Sequence, residues 1–212
     1  MGEALQFALV TFTAILFVVD PFAAVPIFLS ITAGVDDGKR RQVARRSSIA
    51  AFVMLTMFAL AGGLIFKLFG ISLGAFEIAG GLMLLLMAID MMRATPSRTR
   101  STQEEQRESV DKDDVAIVPM AMPMLAGPGA IATVMVLMKR ADWRLYPTVT
   151  VLASIAVTAA VCWLVLGTAV RAQRMLKTTT LNVLERVMGL LLAAIAIEFV
   201  VGGLRELWPA LK

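Results

Sequence analysis

Two apolar segments, one in each half of the chain, are interrupted by proline or glycine at corresponding places. The first break contains Asp20, Pro21 and Pro26, and the second contains Gly127, Pro128 and Gly129. Lipid offers no partner for a backbone N–H or C=O released by such a break. A break is therefore tolerated only where protein or a water-filled cavity surrounds it. Breaks at matching positions of two halves are typical of transporter binding sites.

The composition predicts an integral membrane protein with a single membrane domain. The chain is 58% hydrophobic, whereas soluble domains are usually about 45–50% apolar. It has no histidine, which excludes His-based catalysis and His-ligated metals, and its one cysteine, Cys162, excludes an internal disulfide. We therefore expect a lipid bilayer as partner, no nucleic acid, no metal site and no enzymatic activity.

Six windows are long and apolar enough to cross a bilayer. They cover residues 4–30, 47–67, 71–92, 115–138, 147–169 and 181–203. The longest connection, 94–114, is polar and predicts a linker between two membrane units. The predicted division is a three-helix repeat over 1–93, the linker over 94–114, and a second three-helix repeat over 115–212.

The two units resemble each other in sequence. A shift of 108 residues aligns Glu77 with Glu185, Gly81 with Gly189 and Asp90 with Glu198. A shift of 107 places the first break on the second. Because three spans is an odd number, duplicated units would enter the membrane from opposite sides, as inverted repeats. The alternative is chance similarity between apolar helices.

Basic residues are unequally divided between the two sides of such a membrane protein. Thirteen fall on the side that holds the 94–114 loop and six on the other. By the positive-inside rule, we expect this loop to be cytoplasmic and both termini to be external. The basic run at 39–46 is expected to be a cytoplasmic anchor that contacts anionic lipid.

Asp20 is the first candidate functional residue, because a charged group deep in a bilayer is costly. Pro21 and Pro26 cannot donate backbone hydrogen bonds, so the carbonyls they release need partners. Together with the Asp20 carboxylate, these carbonyls would make an oxygen site for a sodium ion or a proton. The alternative is that Asp20 caps the helix that follows, and one residue could do both.

The second break predicts the start of a half-helix. Pro128 suits the first helical position, and Gly127 and Gly129 allow a ligand to approach the backbone. Free N–H groups at this end would attract the carboxylate of a zwitterionic amino acid. Thr133 follows in the same half-helix and completes the predicted substrate-binding residues. The alternative is a kink without a ligand.

Glu77 and Glu185 are further candidates for ion coupling. Each shares a helix face with a glycine four residues later and an alanine eleven residues later. Small residues in such a row favour close helix packing. The alternative is therefore an interhelical packing stripe that carries a capping or paired acid.

The two broken segments resemble the signature segments of the MarC family of bacterial and archaeal inner-membrane proteins. The similar residues are Asp20, Pro21 and Pro26, and the run 126–131, which reads Ala-Gly-Pro-Gly-Ala-Ile. The resemblance covers essentially the whole chain. The family has six spans, is also called the neutral amino acid transporter family, and is grouped with LysE-type exporters. The resemblance implies a multi-pass inner-membrane protein that transports a small neutral amino acid such as glycine or alanine.

We therefore expect an all-α membrane protein of two inverted three-helix repeats, with helices 1 and 4 broken. The expected function is secondary transport of a small neutral amino acid, coupled to sodium or protons, with the substrate between residues 20–26 and 127–133. An exporter of another small solute, or a membrane scaffold or subunit, are the alternatives. A further alternative is an intramembrane aspartyl protease, against which stands the absence of a Gly-x-Gly-Asp context around Asp20 or Asp90. The sequence does not determine the oligomeric state and is compatible with a homo-oligomer.

Overall fold

The computed structural model describes residues 2–32, 34–93, 116–175 and 178–208, with side chains except at 3, 170–175 and 178–185. Every regular element in these ranges is helical. The helices are α1 Gly2–Val19, α2 Ala24–Ile31, α3 Asp37–Phe69, α4 Leu73–Met92, α5 Ala116–Leu125, α6 Pro128–Ala141, α7 Leu145–Met175 and α8 Thr178–Leu207. The predicted 94–114 linker lies outside the described residues.

Within the described ranges, four helices are long and apolar enough to cross a membrane: α3, α4, α7 and α8. Two further pairs satisfy the same criteria when each pair is taken together, although each is bent. The angle is 42° between α1 and α2 and 59° between α5 and α6. The expectation of an all-α membrane protein is confirmed, with four candidate spans, or six if each bent pair is one span.

The long helix α3 has a well-formed cap at each end. The Asp36 side chain accepts hydrogen bonds from the backbone N–H groups of Gly38, at 2.8 Å, and Lys39, at 3.1 Å. The Lys39 hydrogen bond is the main reason that the pKa of Asp36 lies below its usual value, because it stabilises the ionised carboxylate. The helix ends at Gly70, whose φ of 63° is left-handed, a conformation that glycine adopts without steric cost.

The irregular helix α5 follows directly from its two prolines. Val118 and Met122 have extended backbones, with φ of −123° and −130°. Each precedes a proline, Pro119 or Pro123, and the proline ring disfavours helical geometry in the residue before it. The segment therefore cannot form a regular helix, and the chain bends before α6 begins.

A seam of small residues holds α4 against α8. A Cβ atom added to Gly81 would lie 2.7 Å from the Ala196 carbonyl oxygen, and one added to Gly189 would lie 3.0 Å from the Ala88 carbonyl oxygen. Gly74 and Gly203 meet in the same way two turns further along. Along the seam, residue numbers rise in α4 while they fall in α8, so these two helices are antiparallel. Only small residues allow two helices to approach this closely.

The other helices pack around α6 and α7. The α3 helix contacts both of them, and α1 packs against α7 and, less extensively, α6. Most side chains of α6 are buried, among them Val134 and Leu137, whereas α3 and α8 expose much of their apolar surface. An outward apolar surface is what a membrane-embedded protein presents to lipid.

Candidate functional site

The break between α1 and α2 is built around Asp20. The side chain is only 3% exposed, and its backbone has a φ of 48°, a left-handed conformation that is uncommon outside glycine but enriched in aspartate. Asp20 Oδ1 accepts a hydrogen bond from the backbone N–H of Ala23 at 3.2 Å, immediately before α2 begins. This hydrogen bond is made to the residue that precedes α2 rather than to an N–H group of α2 itself, and it holds a carboxylate inside the helical bundle.

The two prolines of the first break differ in their surroundings. Pro21 is buried beside Asp20, whereas Pro26 is exposed on α2. The break itself comprises residues 20–23, before the first turn of α2. Of the two predicted prolines, only Pro21 therefore lies within the break.

The second break ends where α6 begins. Gly127 is the residue before the helix, and its extended backbone leads into Pro128 at the first helical position. No side chain caps this end. A Cβ atom on Gly127 would lie 2.6 Å from the Pro123 carbonyl oxygen, so the chain folds tightly back on α5. Pro128 itself is exposed.

Gly129 and Thr133 are buried inside the bundle, on the α6 side. A Cβ atom on Gly129 would lie 2.7 Å from Leu84 Cδ2 and 3.3 Å from Met87 Sδ. The space beside this glycine is therefore filled by α4. The Thr133 hydroxyl donates a hydrogen bond to the Gly129 carbonyl oxygen at 2.9 Å, and as an oxygen it retains acceptor capacity.

The two bent pairs contact each other in a crossed arrangement. The first member of one pair packs on the second member of the other: α1 lies against α6, and α2 lies against α5. The fold thus packs the two bent pairs, each with its predicted break, against each other.

Glu77 is placed at a different location and has a strong partner. Its Oε1 accepts a hydrogen bond from Arg140 Nε at 2.9 Å, and the Glu77 side chain is 2% exposed whereas that of Arg140 is 46% exposed. The guanidinium carbon of Arg140 lies 5.8 Å from the centre of the Phe199 ring. A Cβ atom on Gly202 would collide with both charged groups, so this glycine leaves the room that the pair occupies.

This ion pair joins α4, α6 and α8, far from the second break. Arg140 lies twelve residues after Pro128, which is about 18 Å along the helix at 1.5 Å per residue. The geometry is that of the paired acid considered as an alternative for Glu77. The side chain of Glu185, its counterpart, lies outside the described residues.

Sequence reasoning missed a row of polar residues on α7. Ser154, Thr158 and Cys162 are spaced by four, so they share one helix face, and all three are buried. The Tyr146 hydroxyl donates to the Ala4 carbonyl oxygen at 2.8 Å across a separation of 142 residues. The α7 helix also packs against α1 and against α2, the helix that follows Asp20. These contacts place α7 parallel with α1, and α7 continues past the break at Asp20.

Two buried hydroxyls, one on α1 and one on α7, have unmet hydrogen-bonding capacity. Thr158 is 1% exposed, and Thr11, on the buried face of α1, is fully buried. Within the described part of the chain, neither hydroxyl oxygen has a hydrogen-bond partner, although buried polar groups are usually paired. The four-residue spacing of Ser154, Thr158 and Cys162 within an apolar span was the signal in the sequence that could have identified this row.

The fold and the site define a polytopic helical membrane protein in which two bent helix pairs cross beside a buried carboxylate. The profile of the MarC family integral membrane protein matches residues 5–208, and the chain belongs to that family.

Relatives of nearly the same length occur in archaea and bacteria. The UPF0056 membrane protein MJ1677 of Methanocaldococcus jannaschii is 36% identical over 201 residues, which cover 95% of this chain and 97% of the relative. The UPF0056 membrane protein YvbG of Bacillus subtilis is 34% identical, and the match covers 97% of this chain and 98% of the relative. The UPF0056 membrane protein YhcE of Escherichia coli is 31% identical, and the match covers 94% of this chain and 93% of the relative. No solved structure matches the chain.

Proposed function

We propose that the protein is a secondary transporter of a small neutral amino acid, coupled to sodium or protons, in a bacterial or archaeal cell membrane. The observation that carries this proposal is Asp20, a buried carboxylate at a helix break beside a second bent helix pair. Ionisable groups within membrane segments are costly and generally functional. The substrate binds between the two breaks.

The chemistry of the two breaks suits a zwitterion. The Asp20 carboxylate attracts an ammonium group or a coupling cation. An aspartate carboxylate has about four acceptor positions, so capping Ala23 is compatible with binding a ligand. At the other break, the N-terminal end of α6 has no side-chain cap, and its partial positive charge favours a substrate carboxylate.

The proposal includes an inverted-repeat architecture in which each bent pair forms one broken span. Support comes from reciprocal contacts between α4 and α8. Gly81 meets Ala196, and Ala88 meets Gly189; the shift of 108 residues converts each contact into the other. In the proposed repeat, α1 corresponds to α5 and α2 corresponds to α6. The contact of α1 with α6 is therefore the counterpart of the contact of α2 with α5. Two such units rocking against each other would expose the substrate to alternate sides of the membrane.

The polar row along α7 provides a route to Asp20. The hydroxyls of Thr11 and Thr158 are buried without partners among the described residues, and water or a hydrated ion would satisfy them. Ser154 and Cys162 extend the same face. This route would connect Asp20 with the end of the bundle where Tyr146 contacts Ala4.

The test is uptake and efflux of a labelled amino-acid panel in proteoliposomes under imposed sodium or proton gradients. We expect gradient-driven movement of glycine or alanine by the wild type. Asp20→Asn keeps the shape and an acceptor oxygen but removes the charge. A hydrogen bond to a charged group contributes about 1.5–3 kcal/mol, so transport should fall about ten- to a hundredfold.

Glu198→Gln is the matched control, because it removes an exposed carboxylate from α8 and should leave transport unchanged. If Asp20→Asn transports normally with the same ion dependence, Asp20 is only a cap. If no solute in the panel moves under any gradient while the protein is folded, a scaffold or subunit role replaces transport.

A further inference from the structure

Two adjoining cavities lie between α3 and α7. One has a volume of about 390 Å³ and is lined almost entirely by apolar groups, among them Ile49, Phe52, Ala156 and Ala160. The other has a volume of about 480 Å³ and a more polar lining, which includes Arg41, Gln42, Gly167 and Thr168. Arg45 and Trp163 line both cavities. We call the two together the α3–α7 groove.

The groove has a polar end and an apolar end. Its α3 lining progresses from Arg41 through Arg45 to Ile49, in steps of one helical turn. On α7, small residues leave space: a Cβ atom added to Gly167 would meet nothing within 4 Å. Ile49 is 54% exposed and Trp163 is 48% exposed, so the groove is open toward the surroundings of the bundle.

The two arginines at the polar end are available for an anionic partner. Across the described residues, neither Arg41 nor Arg45 forms an ion pair, whereas Arg40, on another face, pairs with Asp37 at 3.2 Å. Guanidinium groups bind phosphate through paired hydrogen bonds, and arginine stems extend along apolar surface while their heads reach the interface. The groove thus has positive charge at one end and an apolar lining at the other. Such a groove is complementary to a molecule that has an anionic head group and an apolar tail.

We propose that the α3–α7 groove binds one anionic phospholipid. Its phosphate contacts Arg41 and Arg45, and one acyl chain lies along Ile49 and Phe52 past Trp163. This site is independent of the transport proposed above, because it lies on the outer face of α3 and α7. A free phosphate would not use the apolar cavity, and a zwitterionic lipid would lack the net charge that the two arginines complement.

Tryptophan quenching by brominated lipid tests the site directly. A variant with Trp143→Phe and Trp208→Phe retains Trp163 as the only tryptophan. It is reconstituted in phosphatidylcholine bilayers that contain dibrominated phosphatidylcholine or dibrominated phosphatidylglycerol. We expect phosphatidylglycerol to be preferred at Trp163 by about fivefold or more, since each basic residue near a membrane surface contributes about fivefold. A second variant that retains only Trp208, which follows the oppositely charged Arg205 and Glu206, should show no such preference.

Three substitutions in the Trp163 background assign the preference to the groove. The double variant Arg41→Gln/Arg45→Gln should reduce it to about one. Lys39→Gln is the matched control from the same basic run, because Lys39 lines neither cavity, and it should retain the preference. Gly167→Leu adds bulk in open space, so it should weaken the preference without lowering thermal stability.

Several outcomes would overturn the proposal. One is equal quenching by the two lipids at Trp163, and another is a preference that survives loss of both arginines. Removal of the preference by millimolar inorganic phosphate would identify an anion site without lipid. Weak quenching by both lipids would mean that protein covers the groove, either a second copy of the chain or the acidic 94–114 segment.

Discussion

The α4–α8 seam gives a quantitative prediction about the stability of the bundle. Gly81→Val places a branched side chain where a Cβ atom already lies 2.7 Å from the Ala196 carbonyl oxygen and 2.8 Å from Val200 Cγ2. A backbone carbonyl cannot rotate away, so α4 and α8 must separate. The matched control is Gly63→Val in α3, where a Cβ atom would meet nothing within 4 Å.

The comparison isolates the contact, because both substitutions exchange glycine for valine within a helix and so change helix propensity equally. Overpacking of a well-packed site costs about 1–3 kcal/mol. For a chain of this size each kcal/mol shifts the melting temperature by about 2–4 °C. We therefore expect Gly81→Val to melt about 2–12 °C below Gly63→Val.

The assay uses the one cysteine of the chain. Cys162 is 1% exposed, so a maleimide dye that fluoresces on reaction with a thiol reports unfolding of the purified protein in detergent. The wild type and both variants are heated under identical conditions. Equal melting temperatures for the two variants would refute the close contact between α4 and α8 and, with it, the reciprocal seam.

Three further predictions follow from other parts of the molecule. A cysteine introduced into 94–114 of a Cys162→Ser protein should be labelled by an impermeant thiol reagent only from the cytoplasmic side; labelling from the external side would reverse the topology. Arg140→Gln should destabilise the protein by about 1–3 kcal/mol, because it leaves the Glu77 carboxylate buried without its partner, and adding Glu77→Gln should recover part of this loss in thermal unfolding. Asp36 has a lowered pKa, so its carboxylate stabilises the fold above the unfolded-state value of 3.8 and ceases to do so as the pH falls through the lower folded-state value. The difference in melting temperature between wild type and Asp36→Ala should therefore shrink as the pH falls below 4, and a constant difference would contradict the capping role.

Local sequence signals predict the helices and the family, but they do not predict the full lengths of the helices. Apolar windows locate bilayer-sized segments, so they predict a span over 47–67 within α3. The helix itself begins at Asp37, ten residues earlier, because a helix can continue beyond the hydrocarbon region. The signal for this start is the Asp36 cap, which a hydropathy window does not detect.

The candidate site shows a second limit of sequence reasoning. Gly127 and Gly129 predict freedom of the backbone, but the sequence does not reveal what lies opposite them. In the fold, Pro123 and Leu84 occupy the positions where larger side chains would extend. The Glu77–Arg140 pair joins residues 63 apart, and only the packing of α4 on α6 brings them together.

The reciprocity of the α4–α8 seam has an evolutionary consequence. Under the proposed duplication, an ancestral three-helix unit would have met an inverted copy of itself through the same glycine and the same alanine. Every substitution at those two positions would then have acted twice in the dimer. Fusion of the two copies would have freed Gly81 and Gly189 to change separately, and in this chain both positions hold glycine.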